Sequence, residues 1–354
     1  MRIAIYNLHF AAMGGGERRT AALAAHLRAR HDVVLFVAEP LDPKLIREAF
    51  GMDLFGVETV ALGCSDHFQS IAARSPDLFI NNSYGSTLAC PAPRGIYMCM
   101  FPDGKPKNLS SYGAITANSQ YTASWVQRRW GYRAEVVYSA CEPMGPPGQK
   151  EKTILNVGRF FAKDEVHHHK RQDVLLQVFV EMTHNSLIDW NLHLVGNVGP
   201  SPGDREFLDG LRMAARGQRV EISAGASFQD LREQYRRASI YWHGTGFGSS
   251  LTLEPGKHEH FGMSIVEALS AGAVPLAFDS GGPREIIRHR ANGYLWNDLD
   301  ELEMQTLGLI ADQSRLRTMS IAAQADSEQF DVGRYLARMD SIIARITGEH
   351  PNQP

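Results

Sequence analysis

The chain has 354 residues, of which 44% are hydrophobic and 21% are charged, with a net charge of −3. This composition excludes a disordered chain, a collagen and a coiled coil, and the length favours two domains. The weak net charge excludes a bulk basic field for nucleic acid, and no apolar run is long enough for a transmembrane helix. The charge is unevenly distributed, because residues 1–150 hold 15 Lys or Arg and 12 Asp or Glu (+3) and the remaining residues hold 21 and 27 (−6).

The amino terminus and the cysteines indicate a compartment. The short apolar start runs directly into Gly14–Gly16, which favours a buried first strand over a secretory signal. Four cysteines in a chain of this length, with no C-x-x-C pair, are typical of free thiols in a reducing environment. We therefore expect a cytoplasmic protein.

Strand and helix patterns alternate along the first half of the chain. Strands are predicted at residues 3–8, 33–37, 78–81, 95–100, 114–117 and 136–137, and an apolar stripe predicts a helix over 17–30. This alternation indicates a parallel sheet with helices on both faces. The segment 143–148, with three Pro and two Gly, then predicts a linker.

The alternation restarts after the linker. Strands are predicted at 154–157, 192–195, 220–223, 240–243 and 274–278, and helices at 173–183, 204–216, 228–238, 284–288 and 333–346. A further helix follows the glycine-rich loop after the strand 240–243 and ends at Ala271. We predict an α/β protein with two doubly wound, Rossmann-like domains, residues 1–147 and 151–330, facing across a cleft. Ligands of such folds bind outside the carboxyl ends of the strands.

The first glycine-rich stretch, Gly14–Gly16, follows the first predicted strand and opens a helix. Backbone N–H groups at such a position favour an anion. A dinucleotide fingerprint is incomplete here, because Arg19 stands where the third glycine of G-x-G-x-x-G belongs, although Glu39 ends the second strand as a ribose-binding acid would. An NAD site and a plain tight turn both remain open at this point.

Two carboxylates, Glu259 and Glu267, are eight residues apart around a predicted loop-to-helix turn. The amides of Gly262 and Met263 would point out of the helix N-terminus. A sugar nucleotide needs N–H groups that bind its phosphate, and these amides would supply them. It also needs acceptors for the hydrogen bonds of its hydroxyls, which the carboxylates on either side would supply. The alternative is that Glu267 is a capping or surface acid and Glu259 a loop charge.

Two further stretches also follow strands. Arg159 and Lys163 precede a basic run at 167–171, and such cations suit a diphosphate, although a solvated basic loop would look the same. His243 and Gly244 are the second and third residues of W-H-G-T-G-F-G (242–248), whose glycines allow close approach to a ligand or simply end a strand.

The histidines raise the question of a metal. His167, His168 and His169 are consecutive, and His258 and His260 flank Glu259. Consecutive histidines cannot all face one ion, and no second carboxylate cluster accompanies them. We therefore expect no metal, and we expect His258 or His260 to contact the sugar or phosphate.

These four stretches, in this order, resemble the retaining glycosyltransferases of family 4, which have the GT-B fold. The resemblance rests on the glycine-rich first loop, G-R-F followed by K-R-Q-D-V-L-L, W-H-G-T-G-F-G and E-H-F-G-M-S-I-V-E-A-L-S-A-G, whose acids match the E-x7-E motif. It is strong over residues 154–296 and looser over 1–140.

The resemblance implies transfer of a hexose from a nucleoside diphosphate sugar to a hydroxyl, with retained configuration. The nucleotide sugar would be a substrate, and we expect no cofactor. GDP-mannose is slightly favoured over a UDP-sugar. Residues 151–330 would bind the donor, and residues 1–147, joined by the returning helix 333–346, would bind a glycan, lipid-linked or small-molecule acceptor. A non-catalytic nucleotide-sugar binding protein and an NAD-linked oxidoreductase remain as alternatives.

The resemblance also implies residue roles. Glu259 would bind a sugar hydroxyl, Glu267 the ribose, and Arg159 and Lys170 the diphosphate. The other predicted donor-binding residues are Gly15, Gly16, Lys163, His243, Gly244, His258, His260, Phe261, Gly262 and Met263.

The sequence departs from the family pattern in two places. Ten residues separate Arg159 from Lys170, longer than usual, so Lys163 rivals Lys170. The stretch 97–102 has no histidine, although many relatives carry one there near the reacting sugar.

Basic and aromatic residues on predicted helices of the first half would suit peripheral contact with an anionic membrane, at the inner face, or else a solvated helix face. These residues are Arg18, Arg19, Trp125, Arg128, Arg129 and Trp130.

Overall fold

The structure is a computed structural model that describes residues 1–104, 107–162 and 169–348. The chain forms two compact units. The first contains Met1–Cys141 and the segment that begins at Phe330, and the second contains Glu142–Gln329. Among the described residues, no helix combines the length and apolar character that crossing a membrane requires.

The first unit is built on a parallel sheet of seven strands. These are Arg2–Tyr6 (β1), Asp32–Val37 (β2), Glu58–Ala61 (β3), Leu78–Asn81 (β4), Gly95–Cys99 (β5), Ala114–Ala117 (β6) and Glu135–Val136 (β7), in the order β3-β2-β1-β4-β5-β6-β7. Its helices include Gly15–Leu27 (α1), Pro43–Phe50 (α2), His67–Ala72 (α3) and Gln120–Trp130 (α4).

The second unit is built on a parallel sheet of six strands. These are Glu151–Val157 (β8), Asn191–Gly196 (β9), Val220–Ala224 (β10), Ala238–His243 (β11), Val274–Phe278 (β12) and Tyr294–Trp296 (β13), in the order β10-β9-β8-β11-β12-β13. Its α-helices within the described residues are Gln172–Asn185 (α5), Pro202–Ala214 (α6), Phe228–Arg237 (α7), Met263–Ser270 (α8), Pro283–Ile286 (α9), Leu299–Ala311 (α10) and Gln313–Ser327 (α11).

The last helix, Val332–Thr347 (α12), packs in the first unit. Its Tyr335 and Met339 share a core with Ile3 and Ile5 of β1, while the alternate β1 residues face a second core that contains Trp130 of α4. Helices therefore cover both faces of this sheet, which is the doubly wound arrangement that the alternating pattern predicts.

The chain enters the second unit before the predicted linker. Met144 N donates a hydrogen bond to Ser270 Oγ (3.0 Å), and Arg236 Nε donates to the carbonyl of Pro146 (2.8 Å). Lys150 Nζ donates to the carbonyls of Ala238 and Ala271, both at 2.7 Å, and burial lowers its pKa to about 7. The Pro- and Gly-rich stretch is thus fastened to the second unit.

Several elements escaped the sequence patterns, namely α2, α3, α10, α11, β3 and β13. β3 is an edge strand whose side chains are mostly exposed, so it lacks the apolar alternation of a buried strand. β13 has three residues, too few for any period to show. The predicted strand at 3–8 ends at Tyr6, two residues earlier than expected.

Candidate functional site

A buried carboxylate, a lysine and a histidine meet in the second unit. Glu259, on the loop before α8, is 9% exposed, and its Oε2 accepts hydrogen bonds from Lys170 Nζ at 2.7 Å and His243 Nε2 at 3.1 Å. His243 ends β11, and Lys170 lies just before α5. The structure thus brings together three of the predicted site residues from three separate segments.

Glycines allow the chain to pack closely around this cluster. A Cβ at Gly158, directly after β8, would lie 2.8 Å from Lys170 Cγ. Gly246 has a φ of +95°, and a Cβ there would lie 2.5 Å from His258 Nδ1. At Gly244, a Cβ would lie 3.2 Å from Arg171 Cβ. Larger residues at these positions would displace the side chains around Glu259.

Helix α8 carries the second carboxylate. Glu267 is 6% exposed and accepts a hydrogen bond from the Tyr235 hydroxyl at 2.9 Å, so the alternative of a surface acid is wrong. Gly262 precedes the helix with a φ of +115°, and its carbonyl accepts from the amides of Ile265 and Val266. The first N–H groups of a helix have no intrahelical acceptor, which makes the start of α8 favourable for an anion. Phe261 and Met263 flank Gly262 at this helix start.

The two histidines beside Glu259 are bonded to protein groups. His258 is 1% exposed, with Nδ1 2.6 Å from Ser280 Oγ, and its ring stacks on Phe278. His260 Nε2 donates to the carbonyl of Gly256 at 3.1 Å. Burial lowers the pKa of His258 and lowers that of His260 to about 4, so both imidazoles are neutral at pH 7. Their contact with a sugar or phosphate stays a prediction.

The predicted diphosphate cations differ in surroundings. Arg159 is half-buried beyond β8, with its guanidinium 5.4 Å from the Phe161 ring, and it has no carboxylate partner among the described residues. Lys170 is mostly enclosed and paired with Glu259. Lys163, the predicted rival of Lys170, lies outside the described residues.

The structure groups no three metal-ligating side chains among the residues that it describes. His169 is 7% exposed, and its Nδ1 accepts a hydrogen bond from the amide of Arg171 at 3.1 Å. Its neighbours His167 and His168 lie outside the described residues.

The glycine-rich turn of the first unit is tightly packed. Gly15 begins α1, and a Cβ at Gly16 would lie 2.6 Å from Met100 Sδ. The amide of Gly14 donates to Glu17 Oε2 at 3.0 Å. The turn is therefore closed by protein contacts within its own unit, and a role of Gly15 and Gly16 toward a donor stays a prediction.

The expected basic and aromatic surface of the first unit is corrected by the structure. Arg18, Arg19 and Trp130 are 6%, 2% and 7% exposed, so none of them lies on a solvated or membrane-facing helix surface. Arg19 donates a hydrogen bond to Asn82 Oδ1, a partner 63 residues away in sequence. The other three predicted residues are Trp125, Arg128 and Arg129, and both guanidinium groups lie within 5.3 Å of the Trp125 ring. The structure does not contradict the prediction for these three.

A cavity of about 620 Å³ opens in the first unit between the loops that follow β4 and β5. Its lining offers both donors and acceptors of hydrogen bonds, from Asp103, Lys107, Asn108, Ser110 and Ser111 among others. Lys107 is held by the carbonyl of Ser86 at 2.8 Å, and burial raises the pKa of Asp103.

Two residues of the second-unit site were missed by sequence reasoning. Tyr235, the partner of Glu267, sits in α7 with no motif to mark it. Gln172 donates to the carbonyls of Gly158 and Arg159, at 3.1 and 3.2 Å, and so fixes the turn after β8. Its place beside Lys170 in K-R-Q-D was an available signal.

Comparison with known proteins shows the family of the chain. Residues 145–325, just over half of the sequence, match the family of glycosyl transferases group 1. The chain belongs to this family.

Among its relatives is the GDP-Man:Man(3)GlcNAc(2)-PP-Dol alpha-1,2-mannosyltransferase of Dictyostelium discoideum, 24% identical over 240 residues, which are 62% of this chain and 45% of the relative. Another is the GDP-mannose:cellobiosyl-diphosphopolyprenol alpha-mannosyltransferase of Komagataeibacter xylinus, 26% identical over 308 residues, covering 81% and 71%. The chain thus spans about half the length of the Dictyostelium relative and 71% of the length of the Komagataeibacter relative.

Solved structures confirm the predicted fold class. Anabaena Alr3699/HepE, in complex with UDP and glucose, superposes with a TM-score of 0.74 at 16% identity, covering 97% of this chain and 99% of that one. A glycosyltransferase from Rickettsia africae gives a TM-score of 0.75 at 14% identity, covering 99% of both. The protein therefore has the GT-B fold, with two Rossmann-like domains.

Proposed function

We propose that this protein is a retaining, family 4 glycosyltransferase that transfers a hexose from a nucleoside diphosphate sugar, GDP-mannose being favoured over a UDP-sugar. The observation that carries the proposal is the buried pair of Glu259 and Lys170, in a chain that belongs to the glycosyl transferases group 1. The names of two relatives, both GDP-mannose dependent, support the choice of donor.

The second unit supplies the proposed donor contacts. Glu259 binds a hydroxyl of the donor sugar, and Glu267, the second acid of E-x7-E, binds the ribose hydroxyls. The start of α8, at Phe261, Gly262 and Met263, presents its amides to the sugar and phosphate.

The two cations of the site, Lys170 and Arg159, differ in whether a carboxylate already balances their charge. Because Lys170 is paired with Glu259, its charge is balanced before the donor arrives. Arg159, with no described carboxylate partner, contributes net positive charge, and a guanidinium grips phosphate oxygens in a bidentate manner. Both cations neutralise the diphosphate as it leaves.

The proposed mechanism needs no nucleophile from the enzyme. The acceptor hydroxyl attacks the anomeric carbon on the side of the leaving group, the bond from that carbon to the diphosphate oxygen breaks, and a phosphate oxygen takes the hydroxyl proton. The configuration at the anomeric carbon is thereby retained. Catalysis is then chiefly electrostatic, and losing one stabilising group costs about 100- to 1,000-fold in rate.

We propose that the first unit binds the acceptor, a lipid-linked glycan. The relatives' names include PP-Dol and diphosphopolyprenol acceptors. The cavity lined by Asp103 and Lys107, with its mixture of donors and acceptors, is suited to sugar hydroxyls.

A screen of nucleotide sugars tests the proposal. The protein is incubated with GDP-mannose, UDP-glucose and related donors, and binding and release of the nucleotide are measured, with NADH as the probe for an oxidoreductase. We expect one nucleotide sugar to bind and turn over, and Glu259→Ala and Arg159→Ala to lose transfer. An inverted product anomer by NMR, or unchanged transfer in both variants, contradicts the assignment.

A further inference from the structure

His243 is held in a fixed place by its surroundings. It is 1% exposed at the end of β11, and the next residue, Gly244, allows Arg171 to pack against this turn. Its Nε2 faces Glu259 Oε2 at 3.1 Å and Thr245 Oγ1 at 3.2 Å. Because the buried imidazole has little room to rotate, the direction of its hydrogen bond to Glu259 is fixed.

The chemistry of the pair determines which nitrogen carries the proton. A carboxylate only accepts hydrogen bonds, so Nε2 must be the N–H that donates to Glu259. Nδ1 is buried with no hydrogen-bond partner among the described residues, which disfavours a second proton there. Burial also lowers the pKa of His243, and the ring is therefore the neutral Nε2–H tautomer at pH 7.

Lys170 and His243, which both donate hydrogen bonds to Glu259, differ in what they can do when a nucleotide sugar binds. Lys170 can move its ammonium end and, in the proposed function, must also serve the diphosphate. His243 is rigid, uncharged and buried, so it stays with the carboxylate. Both hydrogen bonds end on Oε2. In the proposed function Lys170 also serves the diphosphate, so the hydrogen bond from His243 is the one that the carboxylate does not share with the donor.

We infer that His243 is a positioning residue, which orients the Glu259 carboxylate toward the donor sugar by the Nε2–H···Oε2 hydrogen bond and does not itself bind the donor. This inference rests on the proposed function. It replaces the direct donor contact expected for His243 from the sequence.

The test separates sugar recognition from nucleotide recognition. Dissociation constants are measured for GDP-mannose and GDP, and for UDP-glucose and UDP, with whichever pair the wild-type protein binds. Because Glu259 faces the sugar, His243→Ala should weaken nucleotide-sugar binding about tenfold relative to the nucleotide alone. A general loss of structure would instead weaken both ligands together.

Variants of matched size test the hydrogen bond itself. His243→Gln places an amide N–H near the position of Nε2 and should restore the wild-type ratio of the two dissociation constants within about threefold. His243→Asn is too short to reach Glu259 and should weaken nucleotide-sugar binding as much as His243→Ala. The asparagine variant also serves as the test if the alanine variant folds poorly. His193→Gln is the control, since His193 lies on β9 and contacts Gln234 (2.7 Å).

The possible results separate failure of the proposed function from failure of the role of His243. If wild-type protein binds neither nucleotide sugar, the proposed function fails and the inference fails with it. If it binds one, but His243→Ala and His243→Asn leave the ratio unchanged, or His243→Gln loses as much as they do, the inference alone is overturned.

Discussion

Replacing Gly158 with alanine puts a methyl group where the stem of Lys170 now lies. The new Cβ would be 2.8 Å from Lys170 Cγ and 3.2 Å from its Cβ. Atoms this close to the backbone cannot swing aside as the ammonium end could, so the lysine stem or the turn after β8 must shift. The ion pair with Glu259 is then lengthened or broken.

Two magnitudes follow from this displacement. Overpacking of this kind costs about 1–3 kcal/mol of unfolding free energy. A hydrogen bond to a charged group is worth about 1.5–3 kcal/mol, so loss of Lys170 from its place should reduce kcat/KM for glycosyl transfer about 10- to 150-fold.

The assay measures kcat/KM for the donor that the screen selects, together with the melting temperature. Gly210→Ala is the matched control, because Gly210 lies within α6 with open space around its Cβ position. That control should keep full activity and gain about 0.5–1 kcal/mol of stability from the better helix residue. A folded Gly158→Ala variant with wild-type kcat/KM would refute the reasoning.

Three further changes give independent tests. Tyr235→Phe removes the hydroxyl that holds Glu267, and we expect the donor KM to rise about five- to tenfold with little change in kcat, from steady-state kinetics. His260 has its pKa lowered to about 4 from an unfolded value near 6.5, so the unfolded state binds more protons between these values and stability falls as the pH falls through them. Between pH 7 and pH 5 the free energy of unfolding, measured with denaturant, should fall by about 2 kcal/mol less in His260→Gln than in wild type. Equal decreases in the two proteins would contradict this pKa. Lys150→Met leaves two buried carbonyls without their donor, so unfolding free energy should fall by about 2–4 kcal/mol, and an unchanged denaturation midpoint would exclude that role.

The local patterns of the sequence are sufficient for much of the fold. Buried parallel strands such as β2 and β12 are continuous apolar runs, which arise because both faces are covered, and they were predicted within a residue or two. Helix α8 was also predicted with its preceding Gly262, since a left-handed φ there favours glycine. By contrast, exposed β3 and the three-residue β13 have no period to detect.

The candidate site was predicted residue by residue but not as an arrangement. Sequence reasoning selected Glu259, Lys170 and His243, yet it assigned the lysine to a phosphate and the histidine to the donor. That both end on one carboxylate oxygen depends on β11, α5 and the loop before α8 meeting, which residues up to 89 positions apart cannot reveal locally.

The sequence by itself determined the two alternating α/β domains, the position of both acids around α8, and the family resemblance, because these depend on short-range periodicity and spacing. Only the tertiary structure decided which polar groups are buried and with whom. Arg18 and Arg19 look like surface residues in the sequence, but the folded first unit encloses them, and Asn82 satisfies part of Arg19. Burial is a property of the surrounding elements rather than of the residue, so local reasoning wrongly placed Arg18 and Arg19 on the surface.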